Sequence, residues 1–221
     1  MRCKMLILAM LIFPMLVLAE NPPAKDNFDP SLCLTPLSSY TRIGKSLAVL
    51  YQPELLAMLE QIHREIKSDR FEIMDLNHSP VGGAGFWIHP RVLAPSTRFL
   101  GIAARINIQL PYFPDSGPGR LTDALDAFGK DLFKILGDAL LKMPDNSIKG
   151  VIVVLIYSKA ELTDPKYFEQ AEAGVVYISR ESLRKFNSFQ LTYQKLFDQS
   201  EFYFFHGQDQ IQVLLNDFLR G

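Results

Sequence analysis

Cysteine is scarce in this chain. Cys3 and Cys33 are the only two among 221 residues, too few for a disulfide framework and without the C-x-x-C spacing of a zinc or redox site. Histidine is nearly as sparse. His63, His78, His89 and His206 form no H-x-H and no H-E-x-x-H, so no zinc-ligand signature is present. There is no G-x-S-x-G nucleophile elbow. Charge of one sign is also missing: 23 basic residues stand against 24 acidic ones. A near-neutral chain without Lys/Arg blocks has no electrostatic footprint for nucleic acid or anionic lipid. No metal, no cofactor and no nucleic-acid partner is expected. Internal repeats and low-complexity segments are lacking as well.

Long apolar runs are absent except at the start. Arg2 and Lys4 precede an apolar stretch from Met5 to Leu18, followed by Ala19 and Glu20. A basic start, an apolar middle and small or aliphatic residues at Val17 and Ala19 read as a secretory signal over residues 1–19. The run is shorter than a spanning helix, contains Pro14 and meets Glu20-Asn21-Pro22-Pro23 at once, which favours a cleaved signal over an anchor. The protein is expected to be exported, periplasmic or extracellular, with no integral span after cleavage. Removing Arg2 and Lys4 leaves 21 basic against 24 acidic residues, a net charge of −3. It also leaves Cys33 alone, either as a buried thiol or as one half of an intermolecular disulfide.

The remaining length suits one domain over 38–221, preceded by a Pro/Asn/Asp-rich stretch at 20–37 that reads as a mobile lead-in. Pro53 fits a first helical turn, and Leu55, Leu56, Leu59, Ile62 and Ile66 give one apolar face of a helix reaching about Lys67. Phe71–Leu76 reads as a strand, and Phe86-Trp87-Ile88 as a short apolar burst. Gly101–Leu110 alternates strictly, so one face should meet the core and the other solvent or a polar groove. A helix over 120–142 follows, with a seam from Leu121 to Ala139. That seam reads as packing on a sheet, with a short coiled coil as the alternative. Val151–Tyr157 (VIVVLIY) is apolar on both faces and predicts a central strand. Strand, helix, strand is a βαβ-like unit (101–110, 120–142, 151–157) whose strands should run parallel with a right-handed crossover. Gly174–Ser179 supplies another strand, Phe202–Phe205 an edge, and Ile211–Leu219 an amphipathic helix. The fold class is α+β, a single domain with a mixed sheet and flanking helices.

Few groups offer chemistry. Asp75, His78, Trp87 and His89 surround a turn-rich segment and are candidates to line one mouth of a cleft. Ser116 and Arg120, in Ser-Gly-Pro-Gly-Arg before the long helix, are candidates to hold an anion at a helix start. Glu60 and His63 are one turn apart but have no second E-x-x-H, so they read as an exposed ion pair. Gly82-Gly83-Ala84-Gly85 lacks the Lys-Ser/Thr of a phosphate loop and reads as a hairpin or bulge. Phe202 and Phe204, within Phe202-Tyr203-Phe204-Phe205, are candidates for a partner surface, because alternate rings of a strand need cover on both sides. The expected function is a non-enzymatic binding module of the cell envelope, with a protein partner. The alternatives are an exported hydrolase built from the 77–90 and 115–120 loops, and self-association through the long helix or Cys33.

Overall fold

The computed structural model describes residues 28–89, 96–107 and 117–206. The proposed signal, residues 108–110 of the alternating strand, Ser116 and the amphipathic segment at 211–219 lie outside the described residues.

A single 3-10 turn at Pro30–Cys33 opens the described chain. Then come α1 (Arg42–Leu50), α2 (Gln52–Glu65), β1 (Phe71–Ile73), β2 (Ala84–Trp87), β3 (Arg98–Asn107), α3 (Gly117–Leu141), β4 (Ile148–Ser158), β5 (Glu172–Ser179), α4 (Arg180–Asn187), α5 (Tyr193–Asp198) and β6 (Glu201–His206). The strands form one mixed sheet in the order β1-β3-β4-β5-β6, with β2 also paired to β3. The class is α+β, and the βαβ-like unit is present: β3 and β4 are parallel from Arg98–Ile148 to Asn107–Ser158. The other pairings are antiparallel. β6 is an edge, as the Phe202–Phe205 segment predicted.

The helices are built by the periodicity that the sequence carries. In α2, Leu55, Met58, Leu59 and Ile62 are buried; Met58 takes the place expected of Leu56, which is only half-buried. In α3, Leu121, Leu125, Leu132, Ile135 and Leu136 enter the main core. The seam is therefore filled by the protein's own sheet and is not free for a coiled coil. At 25 residues α3 is roughly 37 Å long, close to the ~36 Å of the 11-residue β4. All five helices send side chains into this one core, among them Leu47, Leu59, Leu132, Leu183 and Leu196.

The end of α3 and the segment after it are tied by one side chain, whose nearest α3 acceptor is the Leu140 carbonyl at 3.4 Å. The Arg180 guanidinium donates to the carbonyls of Ile148 (2.8 Å), Met143 (2.9 Å) and Asp145 (3.1 Å), so one side chain closes the connection from α3 to β4.

The second face of the sheet corrects one expectation. Every residue of β3 is buried, so its polar alternates do not face solvent or an open groove. The connection from β4 to β5 crosses that face. Arg105 donates to the Leu162 carbonyl (2.8 Å), and Asn107 Nδ2 to that of Ala160 (2.7 Å). The buried Tyr167 hydroxyl accepts from the Ile106 N–H (2.9 Å) and lies 2.6 and 2.7 Å from the carbonyls of Ile106 and Ile156, so its one proton serves either oxygen. Around it Met74, Val81, Trp87, Ile152, Val154 and Tyr177 form a second apolar cluster.

The strand expected at Phe71–Leu76 stops at Ile73. Asp75 Oδ1 accepts the N–H groups of Asn77 (2.9 Å) and His78 (3.1 Å), folding the chain away from the sheet. The chain returns at β2 to the same side of β3 that β1 occupies. Met74 N–H donates to the Ala103 carbonyl, while Ala103 N–H donates to that of Gly83. Met74 and Gly83 thus face one residue, and Asp75–Gly82 is a large bulge between them. The glycines at its base are required: Gly82 has φ +67°, and a Cβ on Gly83 would stand 2.1 Å from the Met74 carbonyl oxygen.

Tyr167→Phe removes a hydroxyl that serves three buried backbone groups. A loss of about 1–3 kcal/mol is expected, because the Ile106 N–H and the carbonyls of Ile106 and Ile156 lose this buried partner. Urea denaturation of the two proteins checks this; an unchanged midpoint would contradict the role given to the hydroxyl.

Candidate ligand pocket beside the edge strand

A cavity of about 470 Å³ opens at the β1 end of the sheet, within the range of small-ligand clefts. Three elements bound it: the 3-10 turn, the C-terminal part of α2 and the outer side of β1. Its floor is apolar, with Leu32, Ile66, Phe71 and Ile73. One wall is a ring pair, Phe28 stacked on His63 with centroids 4.0 Å apart and planes 8° from parallel. Asp29, Glu72, Asp75 and Asn77 supply the polar rim.

The stretch read as a mobile lead-in forms part of this wall. From Phe28 onward it is tied to the sheet: Gly83 N–H donates to the Cys33 carbonyl (2.7 Å), Thr35 N–H to that of Ala84 (2.8 Å), and Leu34 bridges Ala84 in parallel. The Asp29 side chain holds the turn by accepting the Ser31 N–H at 2.9 Å.

Cys33 lines the cavity with 3% of its surface exposed. That burial speaks against the intermolecular disulfide expected as one of its two roles. Its thiol is pushed up to about 12, first by burial and then by the negative charges of Asp75, Asp29 and Glu72.

Each carboxylate has a defined setting. Glu72 Oε2 takes Nε of Arg105 at 2.8 Å, across the β1–β3 pair. For Asp75, burial works to raise the carboxyl. The Asn77 amide, the neighbouring His78 and the N–H groups of His78 and Asn77 outweigh it and hold the group below the usual carboxylate value. Asp29 is also held low, by the Ser31 hydroxyl first and the Ser31 N–H second. Among the described residues no group of three or more His, Cys, Asp or Glu side chains is arranged to hold a metal ion.

The residues singled out from the sequence separate in space. His78 borders this region, its Nδ1 2.6 Å from Asp75 Oδ1. Trp87 is fully buried on the second face, its indole N–H donating to Thr35 Oγ1 at 3.2 Å. His89 is buried among the rings of Phe99, Tyr177 and Tyr203, 4.0 Å from the Tyr177 centroid, with Nε2 3.3 Å from Glu201 Oε2. Trp87 and His89 both adjoin Phe99, Trp87 as its register partner and His89 with its ring 5.6 Å away, and both are buried. They line no open mouth, and His78 stands apart from them beside Asp75. Glu60 is exposed on α2, and the His63 ring one turn on stacks in the cavity wall.

Arg120 is buried in the first turns of α3 and bound through Nε and a terminal nitrogen to the carboxylate of Glu172. A β5 side chain stands where an anion was expected. Beside this pair the Tyr157 phenol is buried with no hydrogen-bond partner among the described residues, and burial raises it well above its ordinary value. Phe204 packs against the main core, while Phe202 stacks on Phe197 at 5.3 Å and stays 39% exposed. Tyr203 and Phe205 turn to the opposite face, the alternation that the sequence required.

The cavity itself was missed. Its parts come from residues 28–33, 63–66 and 71–77, each ordinary alone, and no spacing rule joins them. The acidic residues near Phe71 and Asp29 were the available signal. Among the described residues, no helix is long and apolar enough to cross a membrane. Comparison with known proteins finds no matching family model, no matching curated protein and no matching solved structure.

The buried thiol gives a direct check. With its pKa near 12, about one Cys33 in ten thousand is thiolate at pH 8. Iodoacetamide labelling of the Cys33 peptide, read by mass spectrometry, is expected to be at least ~100-fold slower in the native protein than in urea. Equal rates would contradict the burial.

Proposed function

We propose that this chain is an exported, non-enzymatic binding module and that its ligand occupies the cavity beside β1. The observation that carries the reading is the combination found there: an apolar floor, a ring pair and carboxylates in one concave site. Groups that a hydrolase would draw on serve other contacts. Arg120 binds Glu172, His78 stands against Asp75, and His89 is enclosed by aromatic rings. The leader-like residues 1–19 support export, and the net charge of the remainder is compatible with a periplasmic or extracellular site.

Two measurements test the reading. Expressed at full length, the protein is expected outside the cytoplasm with Glu20 as its first residue, checked by fractionation and N-terminal sequencing. Cytoplasmic protein beginning at Met1 would overturn export. Titration with benzylamine, with neutral benzyl alcohol and with a pool of random hexapeptides, followed by amide exchange, is expected to slow exchange at residues 28–33 and 71–77. Protection confined to other segments, or none with any probe, would overturn the cavity as the site.

A further inference from the structure

We infer that the cavity accepts an extended peptide carrying lysine or arginine, which adds a strand to the outer side of β1. This rests on the reading of the cavity as a binding site and specifies what enters it.

The backbone provides the first reason. In the β1–β3 ladder the register sets Glu72 opposite Arg105. Asn107 N–H donates to the Arg70 carbonyl and Met74 N–H to the Ala103 carbonyl. Alternate residues of an antiparallel strand face its partner, so Arg70, Glu72 and Met74 do so. The N–H and C=O of Ile73 then point away from the sheet, as does the C=O of Phe71. Among the described residues no strand pairs with β1 on that side.

The neighbouring row shows that this side takes an added segment. Beside β2, the chain itself supplies one. Cys33 and Thr35 bond to Gly83 and Ala84, and Leu34 bridges Ala84. Residues 33–35 fill the row next to β2; among the described residues no strand fills the row next to β1, and the cavity lies along it. An extended peptide laid there continues a row that the protein has already begun.

Charge selects the peptide. Asp29, Glu72 and Asp75 line the cavity, and all three act on the Cys33 thiol as negative charges. Among the described residues no lysine or arginine lines it. Arg105 and His78 offset Glu72 and Asp75 in part, whereas Asp29 is held by the neutral Ser31. The aliphatic stem of a lysine or arginine suits the Leu32, Ile66 and Ile73 surface, and its head reaches the Asp29 side. An acidic peptide meets like charge.

The test uses the acetylated, amidated hexapeptide VKVKVK, its counterpart VEVEVE, and VKVKVK with N-methyl groups on alternate amides. Binding to the full chain is read by fluorescence anisotropy at low ionic strength and by exchange of the Ile73 amide. VKVKVK is expected to bind at least ~10-fold more tightly than VEVEVE. N-methylation should weaken it by about tenfold if backbone pairing holds it. Asp29→Asn keeps the turn's cap, since asparagine caps as well as aspartate, and should weaken VKVKVK severalfold. Leu32→Lys, at a 43% exposed position, should abolish binding while circular dichroism stays unchanged. Equal affinity for the lysine and glutamate peptides, or no loss on N-methylation, overturns the inference. If benzyl alcohol or benzylamine still protects the cavity while VKVKVK does not bind, the inference falls and the cavity remains a binding site. If VKVKVK binds both Leu32→Lys and the native chain equally, it binds elsewhere, and the inference fails.

Discussion

Parallel pairing of β3 with β4 is the constraint on which the rest of the structure depends. It joins strands separated in sequence by the whole of α3, so its loop-closure cost has to be met by burial gained afterwards. That burial is extensive, because β3 is covered along its entire length and β4 at every residue but Lys149. Covering both faces is the usual condition for parallel strands. Here it is met asymmetrically among the described residues: five helices on one side, and on the other a connection with a single 3-10 turn around Tyr167.

The thinner cover on the second face explains why buried polar groups concentrate there. A segment that lacks a helix's internal hydrogen bonds must place its carbonyls somewhere. Those of Leu162 and Ala160 accept from Arg105 and Asn107 on β3. Polar alternation along β3 therefore serves the cover rather than solvent. Arg180 does a similar service at the far end of the sheet, closing the exit of α3 onto β4.

Much of the frame was legible in the sequence because its elements have strong periods. VIVVLIY, the α3 stripe and the alternating strand each fixed an element, and their order implied the parallel pair. The Phe202–Phe205 tetrad divided between two faces as a strand must. What stayed hidden depends on distant partners. Glu172 lies 52 residues from Arg120, and no local pattern reveals that it fills the anion position. His89 and His78 are close in sequence, yet Asp75 turns one outward while β2 carries the other across the sheet. The lead-in composition of residues 28–37 was misleading for a related reason: Asp29 and Pro30 are as suited to a capped turn as to a loose tail.

The bulge between β1 and β2 has an evolutionary consequence. Ile73 lies opposite Ala104, Ala84 opposite Ile102, and both Met74 and Gly83 bond to Ala103 between them. Excising Asp75–Gly83 and joining Met74 to Ala84 would yield one uninterrupted strand in unbroken register. To the sheet those nine residues are a parenthesis. The strand pairings on either side do not depend on the length of the turn between Asp75 and Pro80, so that part can be rewritten by selection while Gly82 and Gly83 are kept for the base of the bulge. Since that turn contributes Asp75 and Asn77 to the rim of the cavity, what the rim prefers can drift while the architecture beneath it stays fixed.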